Sequence, residues 1–292
     1  PPYYDAIPYS DLMDFFRVWL RRSTAGFMPK CDQLFAGRLG PKWDMEAKDG
    51  ELIDDEARFA GDSVKSKEAY ETGMAKAFER ASEALKDHGR LVVVFANKAP
   101  NAWETLVAAL IKSGFVVTGS WPIATEMRGG LRNYGRASLA SSVWLVSRKR
   151  PEAASSGWDN RVLREMRENI THKLRHFWDA GIRGPNLVWA ATGPALEAYS
   201  RHPVVKKADQ PGEVMGVGEF LQHVRRFVVD FQVGRVLSGD GEAERVGDLD
   251  DPTTYYLLHR NDFGMENAPA GAVILYTLSC GLSDSELAGK YD

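Results

Sequence analysis

The stretch Leu91-Val92-Val93-Val94-Phe95 decides how the first half of this 292-residue chain folds. It is a continuous apolar run rich in β-branched residues, which is typical of a central strand of a parallel sheet, buried on both faces. A helical pattern over residues 102–113 follows and ends at Gly114, and residues 115–118 form the next apolar run. Strand, helix and strand in this order predict a crossover unit of an α/β sheet.

Further elements are predicted on both sides of this unit. Upstream, the apolar residues of Lys67–His88 have helical spacing, and Gly89 is predicted as the C-cap. Inside the unit, Asn101 and Glu104 have the spacing of a capping box at the start of the helix. Downstream, residues 141–146 are predicted to form another strand, entered after a glycine-containing loop.

The second half of the chain changes character after the Ala/Ser-rich stretch 151–157, which is typical of a linker. Apolar residues at helical spacing then predict a series of helices. These patterns cover residues 162–177, 220–237, 253–259 and 270–280, with a short terminal helix from residue 284, while residues 186–199 contain an apolar run. The Gly193-Pro194 pair is predicted to start a helix. The chain is therefore divided into an α/β portion, 1–150, with an insertion near 23–66, and a helical domain, 158–292.

The composition narrows the class of protein. Hydrophobic residues make up 44% of the chain and charged residues 26%, and the formal net charge is −3. Such values are ordinary for a globular protein, so any contact with nucleic acid must come from a local patch. The two cysteines, Cys31 and Cys280, are far apart, which argues against a disulfide framework or a zinc ribbon and favours a cytoplasmic location. No run of 18 apolar residues is present, so no contact with a membrane is expected.

Two basic segments are candidates for contact with phosphates. Residues 127–151 contain no acid, and a glycine-rich loop in their first part favours contact with DNA over a merely solvated hairpin. The arginines of this loop are Arg128, Arg132 and Arg136. The second segment is a basic helix flank, which is either a solvated face or a nucleic-acid contact. It consists of Arg161, Arg164, Arg167, Lys173 and Arg175.

The first residues, Pro1-Pro2-Tyr3-Tyr4-Asp5, form a third candidate site. Two prolines before two tyrosines predict a stiff, extended turn, since proline fixes φ and restricts the residue before it. Such a turn holds backbone carbonyls and an aromatic face in one orientation. Ser10 is then predicted to cap a helix that has an apolar face. That face contains Leu12, Phe15, Phe16, Trp19 and Leu20.

Pro1-Pro2-Tyr3 resembles the last three letters of the Asp-Pro-Pro-Tyr motif of amino-methyltransferases. The longer string from Pro1 to Arg22 is similar to a group of large prokaryotic proteins described as adenine-specific DNA methylases, often found near phage-defence genes. The resemblance continues through three further strings and covers most of the chain. These are Phe-Ala-Asn-Lys at 95–98, Trp-Pro-Ile-Ala-Thr-Glu at 121–126 and Gly-Pro-Ala-Leu-Glu-Ala-Tyr-Ser at 193–200.

This resemblance implies an α/β fold: a partial Rossmann-like, S-adenosylmethionine-dependent methyltransferase sheet followed by a mostly α-helical domain. It implies the C-terminal part of an enzyme that methylates the exocyclic N6 amine of adenine in DNA. The cofactor site and the Asp of the motif are expected in a missing N-terminal half, so this chain alone is expected to be inactive. Three alternatives stay open: N4-cytosine methylation, RNA amino-methylation, and a non-catalytic nucleic-acid-binding module with a degenerate methyltransferase fold.

The resemblance also implies roles for individual residues. The carbonyl of Pro1 accepts a hydrogen bond from the target amine, Pro2 completes the catalytic turn, and Tyr3 stacks on a base flipped out of the duplex. The expected substrate-binding residues are Tyr4, Asp5, Trp121, Glu126, Arg128, Arg132 and Arg136, and the expected cofactor-binding residues are Asn97 and Lys98. Trp121 and Glu126 have an alternative, structural reading, in which the indole packs against the sheet end and the carboxylate forms a salt bridge. No metal site is predicted: His172 and His176 have i, i+4 spacing, but the Glu of a zinc-protease helix is missing.

Overall fold

The computed structural model of the chain describes residues 18–27, 29, 43–44, 49–50, 52–96, 100–124, 141–238, 249–283, 287 and 289. The fold is mixed α/β. Two compact units are present, Pro1–Met74 and Ala75–Asp292. The sheet and the C-terminal helices both belong to the second unit. None of the described helices is both long enough and apolar enough to cross a bilayer.

In the first unit the predicted insertion contains short regular elements. Strand β1, Trp43–Asp44, pairs antiparallel with β2, Asp49–Gly50. A 3-10 helix, Glu56–Phe59, follows, and helix α1 then runs over Ser63–Ala84. The backbone N–H of Lys65 donates to the Asp62 carboxylate at 3.0 Å, which explains why α1 begins four residues before the predicted start.

The end of α1 corrects one prediction. The helix stops at Ala84, so Gly89 is not its C-cap. Instead the N–H of Gly89 donates to the carbonyl of Lys86 at 2.8 Å, in a separate turn that leads into the sheet.

The second unit contains the predicted strand–helix–strand unit. Its elements are β3, Leu91–Phe95; α2, Pro100–Lys112; β4, Phe115–Ala124; and β5, Ser141–Lys149. The strand order is β3-β5-β4, and both outer strands pair antiparallel with β5. Strands β3 and β4 therefore run in the same direction. All four elements were predicted, although β4 continues to Ala124, well past the apolar run that marked it.

The position of β3 differs from the prediction of a central, doubly buried strand in a parallel sheet. Within the described residues β3 pairs only with β5, and it pairs antiparallel. Its side chains alternate between the two faces: Val93 is buried, whereas Val92 and Val94 are 46% and 39% exposed. For the described residues the prediction was wrong, because a run of valines indicates that both faces of the strand are apolar but not which neighbouring elements cover them.

A β-bulge in β4 sets the two faces of the sheet. The pairing of β4 with β5 shifts between Val117 and Gly119. After this shift, Ser120 lies opposite Leu145 on the covered face, and Trp121 lies opposite Trp144 on the exposed face. The same register places Val94 of β3 opposite Trp144, so the two tryptophans and the valine form one row across the three strands.

The helical portion follows the predicted patterns closely. Its helices are α3, Asp159–Asp179; α4, Pro185–Ser200; α5, Val217–Ser238; α6, Asp251–Phe263; and α7, Ala270–Ser279. The two-residue strands β6, Gly157–Trp158, and β7, Val205–Lys206, pair in parallel next to α3. The apolar stripe predicted for α3 is buried and contains Val162, Met166, Ile170, Leu174 and Phe177. The predicted helix start at residue 284 lies outside the described residues.

Helices α5, α6 and α7 share a buried cluster that contains Val229, Val233, Leu258, Tyr276 and Cys280. The Tyr276 hydroxyl donates to the Asp262 carboxylate, and burial, followed by the charge of Asp262, raises the pKa of Tyr276. Burial also raises the pKa of the Cys280 thiol to about 12. These groups are therefore neutral parts of a helical core.

Candidate functional site

The carboxyl ends of β3 and β4 lie at the same edge of the sheet, because both strands run antiparallel to β5. Phe95, the last residue of β3, lies opposite Val143 of β5, which lies opposite Pro122 of β4. In open α/β sheets, ligands bind at the carboxyl ends of the strands. This edge is therefore the candidate functional site of the second unit.

Three aromatic side chains, Phe95, Trp103 and Trp189, pack against one another beside the carboxyl ends of these strands. The rings of Phe95 and Trp103 meet edge to face, with centroids 4.9 Å apart and an interplanar angle of 79°. Trp103 of α2 also packs on Trp189 of α4 at a centroid distance of 4.5 Å. Such aromatic pairs contribute about 0.5–1.5 kcal/mol each beyond their buried area. They fix the positions of α2 and α4 against the end of β3.

The backbone of helix α4 lies directly against the backbone of β4. A Cβ atom added to Gly193 would lie 2.1 Å from the carbonyl carbon of Gly119 and 2.2 Å from the nitrogen of Ser120. The N–H of Gly193 donates to the Ser120 hydroxyl oxygen at 2.7 Å. That hydroxyl in turn lies 2.5 Å from the carbonyl oxygen of Trp189 and 3.1 Å from that of Ala190. Ser120 thus replaces hydrogen bonds within the helix.

The contact of the Ser120 hydroxyl with the backbone of α4 explains why a proline is tolerated inside the helix. Pro194 has no N–H for the carbonyl of Ala190, its partner four residues earlier, and Ser120 approaches that carbonyl instead. The prediction that Gly193-Pro194 starts a helix was therefore wrong. The helix begins at Pro185 and continues through the pair.

A second serine, Ser200, joins the carboxyl end of α4 to the bulge of β4 by a hydrogen bond. The Ser200 hydroxyl accepts a hydrogen bond from the N–H of Val117 at 2.9 Å and donates to the Leu196 carbonyl. The neighbouring Tyr199 hydroxyl donates to the Met215 carbonyl at 2.6 Å, and burial raises its pKa to about 12. Three residues of the string at 193–200, Gly193, Tyr199 and Ser200, thus dock α4 on β4 and on the loop before α5.

Arg150, the residue after β5, joins the carboxyl ends of two helices. Its guanidinium donates to the Ile111 carbonyl at the end of α2 at 3.1 Å, and to the Ser200 carbonyl at the end of α4 at 3.2 Å. A longer contact of 3.4 Å reaches the His202 carbonyl. Burial lowers the pKa of Arg150. A cation at these positions neutralises the negative ends of both helix dipoles.

Glu104 faces a different partner from the predicted one. Helix α2 begins at Pro100, so Asn101 lies in its first turn and not at the N-cap, and the predicted capping box is wrong. The Glu104 carboxylate lies 3.8 Å from the guanidinium of Arg225 on α5. Burial lowers the pKa of Arg225, while Glu104 acts in the opposite direction. This half-buried ion pair connects the strand–helix–strand unit with the helical portion.

Of the predicted site residues, the structure describes Trp121. Its indole is 55% exposed and lies in the row with Trp144 and Val94. The other predicted site residues lie outside the described residues. They are Pro1, Pro2, Tyr3, Tyr4, Asp5, Asn97, Lys98, Glu126, Arg128, Arg132 and Arg136.

The exposed face of the sheet is unusually apolar. Its exposed side chains are Val92, Val94, Trp121, Ile123 and Trp144. Large exposed apolar patches are typical of interaction surfaces, so this face is a candidate contact surface. In the described part of the chain, the side of β3 that faces away from β5 also has no paired strand. The backbone groups on that side are therefore open for pairing with another strand.

The structural roles of Ser120, Ser200 and Arg150 were not predicted from the sequence. The sequence carried a signal for Ser120 alone. A Gly-Pro pair next to an apolar run indicates that, if the helix continues, a group outside the helix bonds to its free backbone groups. Neither the bulge at Val117 nor the position of Arg150 relative to two helix ends has a local signal, because both depend on contacts distant in sequence.

His172 and His176 are exposed on α3. Among the residues for which the structure gives positions, no three His, Cys, Asp or Glu side chains are grouped closely enough to hold a metal ion. The sequence matches no family model and no curated protein, and the structure matches no solved structure.

Proposed function

We propose that this chain is the C-terminal part of an S-adenosylmethionine-dependent DNA methyltransferase that acts on the N6 amine of adenine. The proposal combines the Asp-Pro-Pro-Tyr resemblance of the first residues with the architecture of the sheet. The observation that carries it is the order of elements at the candidate edge: β3, crossover helix α2, and β4 in the same direction, followed by β5 antiparallel to β4. A crossover followed by an antiparallel pair is the ending expected for a methyltransferase sheet.

The exposed surfaces of the sheet support the second part of the proposal, an upstream half of the protein that completes the domain. The parallel sheets of α/β proteins, which the methyltransferase resemblance implies, have both faces covered. Here α4 covers one face, while the row of Val94, Trp144 and Trp121 on the other is open to solvent. In the proposal, an upstream strand pairs with the open edge of β3 and upstream helices cover the apolar face.

The described residues do not fit the role of a cofactor site. At the carboxyl ends of β3 and β4 they are apolar or neutral, Phe95-Ala96 and Trp121–Ala124, with no carboxylate for the ribose hydroxyls of a nucleoside. In the proposal, S-adenosylmethionine is bound by the upstream half and supplies the methyl group. This chain contributes the Pro1 carbonyl, which accepts from the target amine, and the ring of Tyr3, which stacks on the flipped base.

The proposal is tested with the longer protein that contains an upstream half, given a tritium-labelled cofactor and duplex DNA. We expect label in N6-methyladenine after digestion to nucleosides, and no label when Tyr3 is changed to Ala. Label in N4-methylcytosine or only in RNA would support the corresponding alternative. Absence of methyl transfer to all substrates, with DNA binding retained, would favour the non-catalytic module.

The division of labour is tested separately with the isolated chain. Calorimetry of residues 1–292 with S-adenosylmethionine is expected to give no heat of binding. Binding at micromolar affinity would contradict the assignment of the cofactor to the upstream half.

The proposed docking surface is tested by co-purification of a tagged upstream half with this chain. Trp144→Glu places a charge in the centre of the apolar face and is expected to abolish co-purification. Tyr256→Glu is the matched control, because Tyr256 is 61% exposed on α6 and lies outside the sheet. Equal recovery of both variants would mean that the apolar face is not the contact surface.

A further inference from the structure

Helix α3 has a face of exposed arginines. Arg161, Arg164, Arg167 and Arg175 are all exposed, and none forms an ion pair within 4 Å among the described residues. Arg201, by contrast, forms an ion pair with Glu165 of the same helix. Unpaired cations on one helix are available to an external anion.

The amino end of α3 adds a further cation. Strand β6 leads into α3, and its Trp158 lies opposite Lys206 of β7. Lys206 is exposed, and Trp158 is 45% exposed. Arg161 lies on the first turn of the helix that begins directly after Trp158. The basic face is therefore defined as Lys206 together with Arg161, Arg164, Arg167 and Arg175.

The acidic groups of α3 do not cancel this charge. Asp159 accepts hydrogen bonds from the backbone N–H groups of Asn160 and Ala208, and Glu165 is paired with Arg201. Burial raises the pKa of Asp230 on α5, and the charge of Arg167, on the flank of α3 towards α5, opposes this rise. Glu168 and Asp179 remain as exposed carboxylates. Five cations thus face solvent, with Glu168 between them and Asp179 beyond Arg175, in a chain whose net charge is −3.

The length of this face is sufficient to span several phosphates of one DNA strand. Arg161 and Arg175 are fourteen positions apart, which is about 21 Å along a helix. Phosphates on one DNA strand follow each other with a rise of about 3.4 Å, so this length spans roughly six nucleotide steps. Several guanidinium groups can therefore reach phosphates of one groove edge at the same time. Contacts of this kind position a protein on DNA without reading its sequence.

We propose that the basic face of α3 is a docking surface for the phosphate backbone of duplex DNA, separate from the edge of the sheet. This assigns a task to the helical portion, which the resemblance leaves without one. The inference takes from the proposed function only the identity of the nucleic acid as DNA. It does not depend on methyl transfer, because a phosphate contact is measured by binding alone.

The test is fluorescence anisotropy of a labelled 20-base-pair duplex titrated with the 1–292 chain at several concentrations of KCl. The variant Arg161→Gln/Arg164→Gln/Arg175→Gln is compared with a control of equal charge, Arg80→Gln/Lys86→Gln/Arg260→Gln, whose residues are exposed elsewhere. Each phosphate contact contributes about −0.9 to the slope of log K against log salt. We expect the α3 variant to lower the magnitude of that slope by about two to three and to weaken binding at least tenfold at 100 mM salt, with little change in the control.

Three results would overturn the inference. They are no binding by the unmodified chain at 50 mM salt, an equal loss in the α3 variant and the control, and tighter binding of single-stranded RNA with the same dependence on the three arginines. A single reversal, Arg164→Glu, repeats the test with one surface change and keeps it valid if the triple variant is poorly folded. If DNA binding depends on α3 but the longer protein transfers no methyl group, the inference stands and the proposed function fails.

Discussion

The hydroxyl group of Ser120 on β4 accepts a hydrogen bond from the backbone N–H of Gly193, 2.7 Å away, in the middle of helix α4. In an uninterrupted helix this N–H would donate to the carbonyl of Trp189. The Ser120 hydroxyl lies 2.5 Å from that same carbonyl oxygen. A side chain of the sheet thus replaces a hydrogen bond of the helix, and the stability of α4 depends on its contact with β4.

Gly193→Ala is expected to destabilise the protein strongly. The added Cβ would lie 2.1 Å from a backbone atom of Gly119, which cannot rotate away as a side chain would. Separating α4 from β4 is expected to lower the free energy of unfolding by about 3 kcal/mol, measured by urea denaturation. The control is Gly216→Ala, where nothing lies within 4 Å of the added Cβ. Similar midpoints for the two variants would contradict the close approach.

Ser120→Ala is expected to destabilise the protein less than Gly193→Ala does. The substitution leaves the buried N–H of Gly193 and the Ala190 carbonyl without partners and creates no clash. An unsatisfied buried group costs roughly 1–3 kcal/mol, and thermal and urea unfolding should both report a loss in this range. The matched control is Thr171→Ala, whose hydroxyl bonds within α3 on an exposed surface, and it should change stability by less than about 0.5 kcal/mol.

Arg150→Met is expected to loosen both helix ends. The variant keeps the aliphatic length of the side chain but loses the donors to the Ile111 and Ser200 carbonyls. Hydrogen bonds from a charged group contribute about 1.5–3 kcal/mol, so a loss near 2 kcal/mol is expected in denaturant unfolding. Arg150→Lys should recover less than half of it, because one ammonium group lacks the fork that reaches two helices. Arg90→Met is the control, since the hydrogen bonds of Arg90 to described residues go to the neighbouring His88 and Gly89 carbonyls.

The buried thiol of Cys280 is expected to make the protein less stable at high pH. Its pKa is about 12 in the folded chain, against 9.0 for an ordinary thiol, because burial disfavours the thiolate. A raised pKa means that the stabilising contribution is complete below pH 9 and is lost as the pH rises towards 12. Between pH 8 and pH 10, wild type should lose about 1 kcal/mol more than Cys280→Ala in urea unfolding. Parallel pH profiles would show that the thiol titrates normally.

The spacing of apolar residues predicted nearly all helices and strands that the structure describes in the second unit. The stripe of α3, from Val162 to Phe177, is clear because that helix packs on neighbours along one side only. The run at Leu91–Phe95 gave the strand correctly and its environment wrongly. A sequence of valines records that both faces are apolar, while the neighbours that cover each face depend on other parts of the polypeptide.

Local signals failed where a distant partner determines the structure. Gly193-Pro194 has the local preference of a helix boundary, yet the helix continues because Ser120, 73 residues earlier, supplies the missing hydrogen bonds. Of the candidate site, the sequence predicted Trp121 as a substrate-binding residue beyond the apolar run at 115–118, and the structure places it inside β4, on the exposed face. The bonds of Ser120 and Arg150 were not predictable, since neither residue type indicates which carbonyl groups the fold brings within reach.

The bulge between Val117 and Gly119 reverses the alternation of side chains between the two faces of β4. Strict alternation from the buried Val117 would turn Ser120 to the solvent and Trp121 towards α4. The extra residue reverses both, which gives the helix its hydroxyl partner and leaves the indole outside. A deletion of Thr118 is therefore expected to turn Ser120 outward and Trp121 inward at the same time. The attachment of α4 to β4 and the exposure of Trp121 both depend on this one bulge.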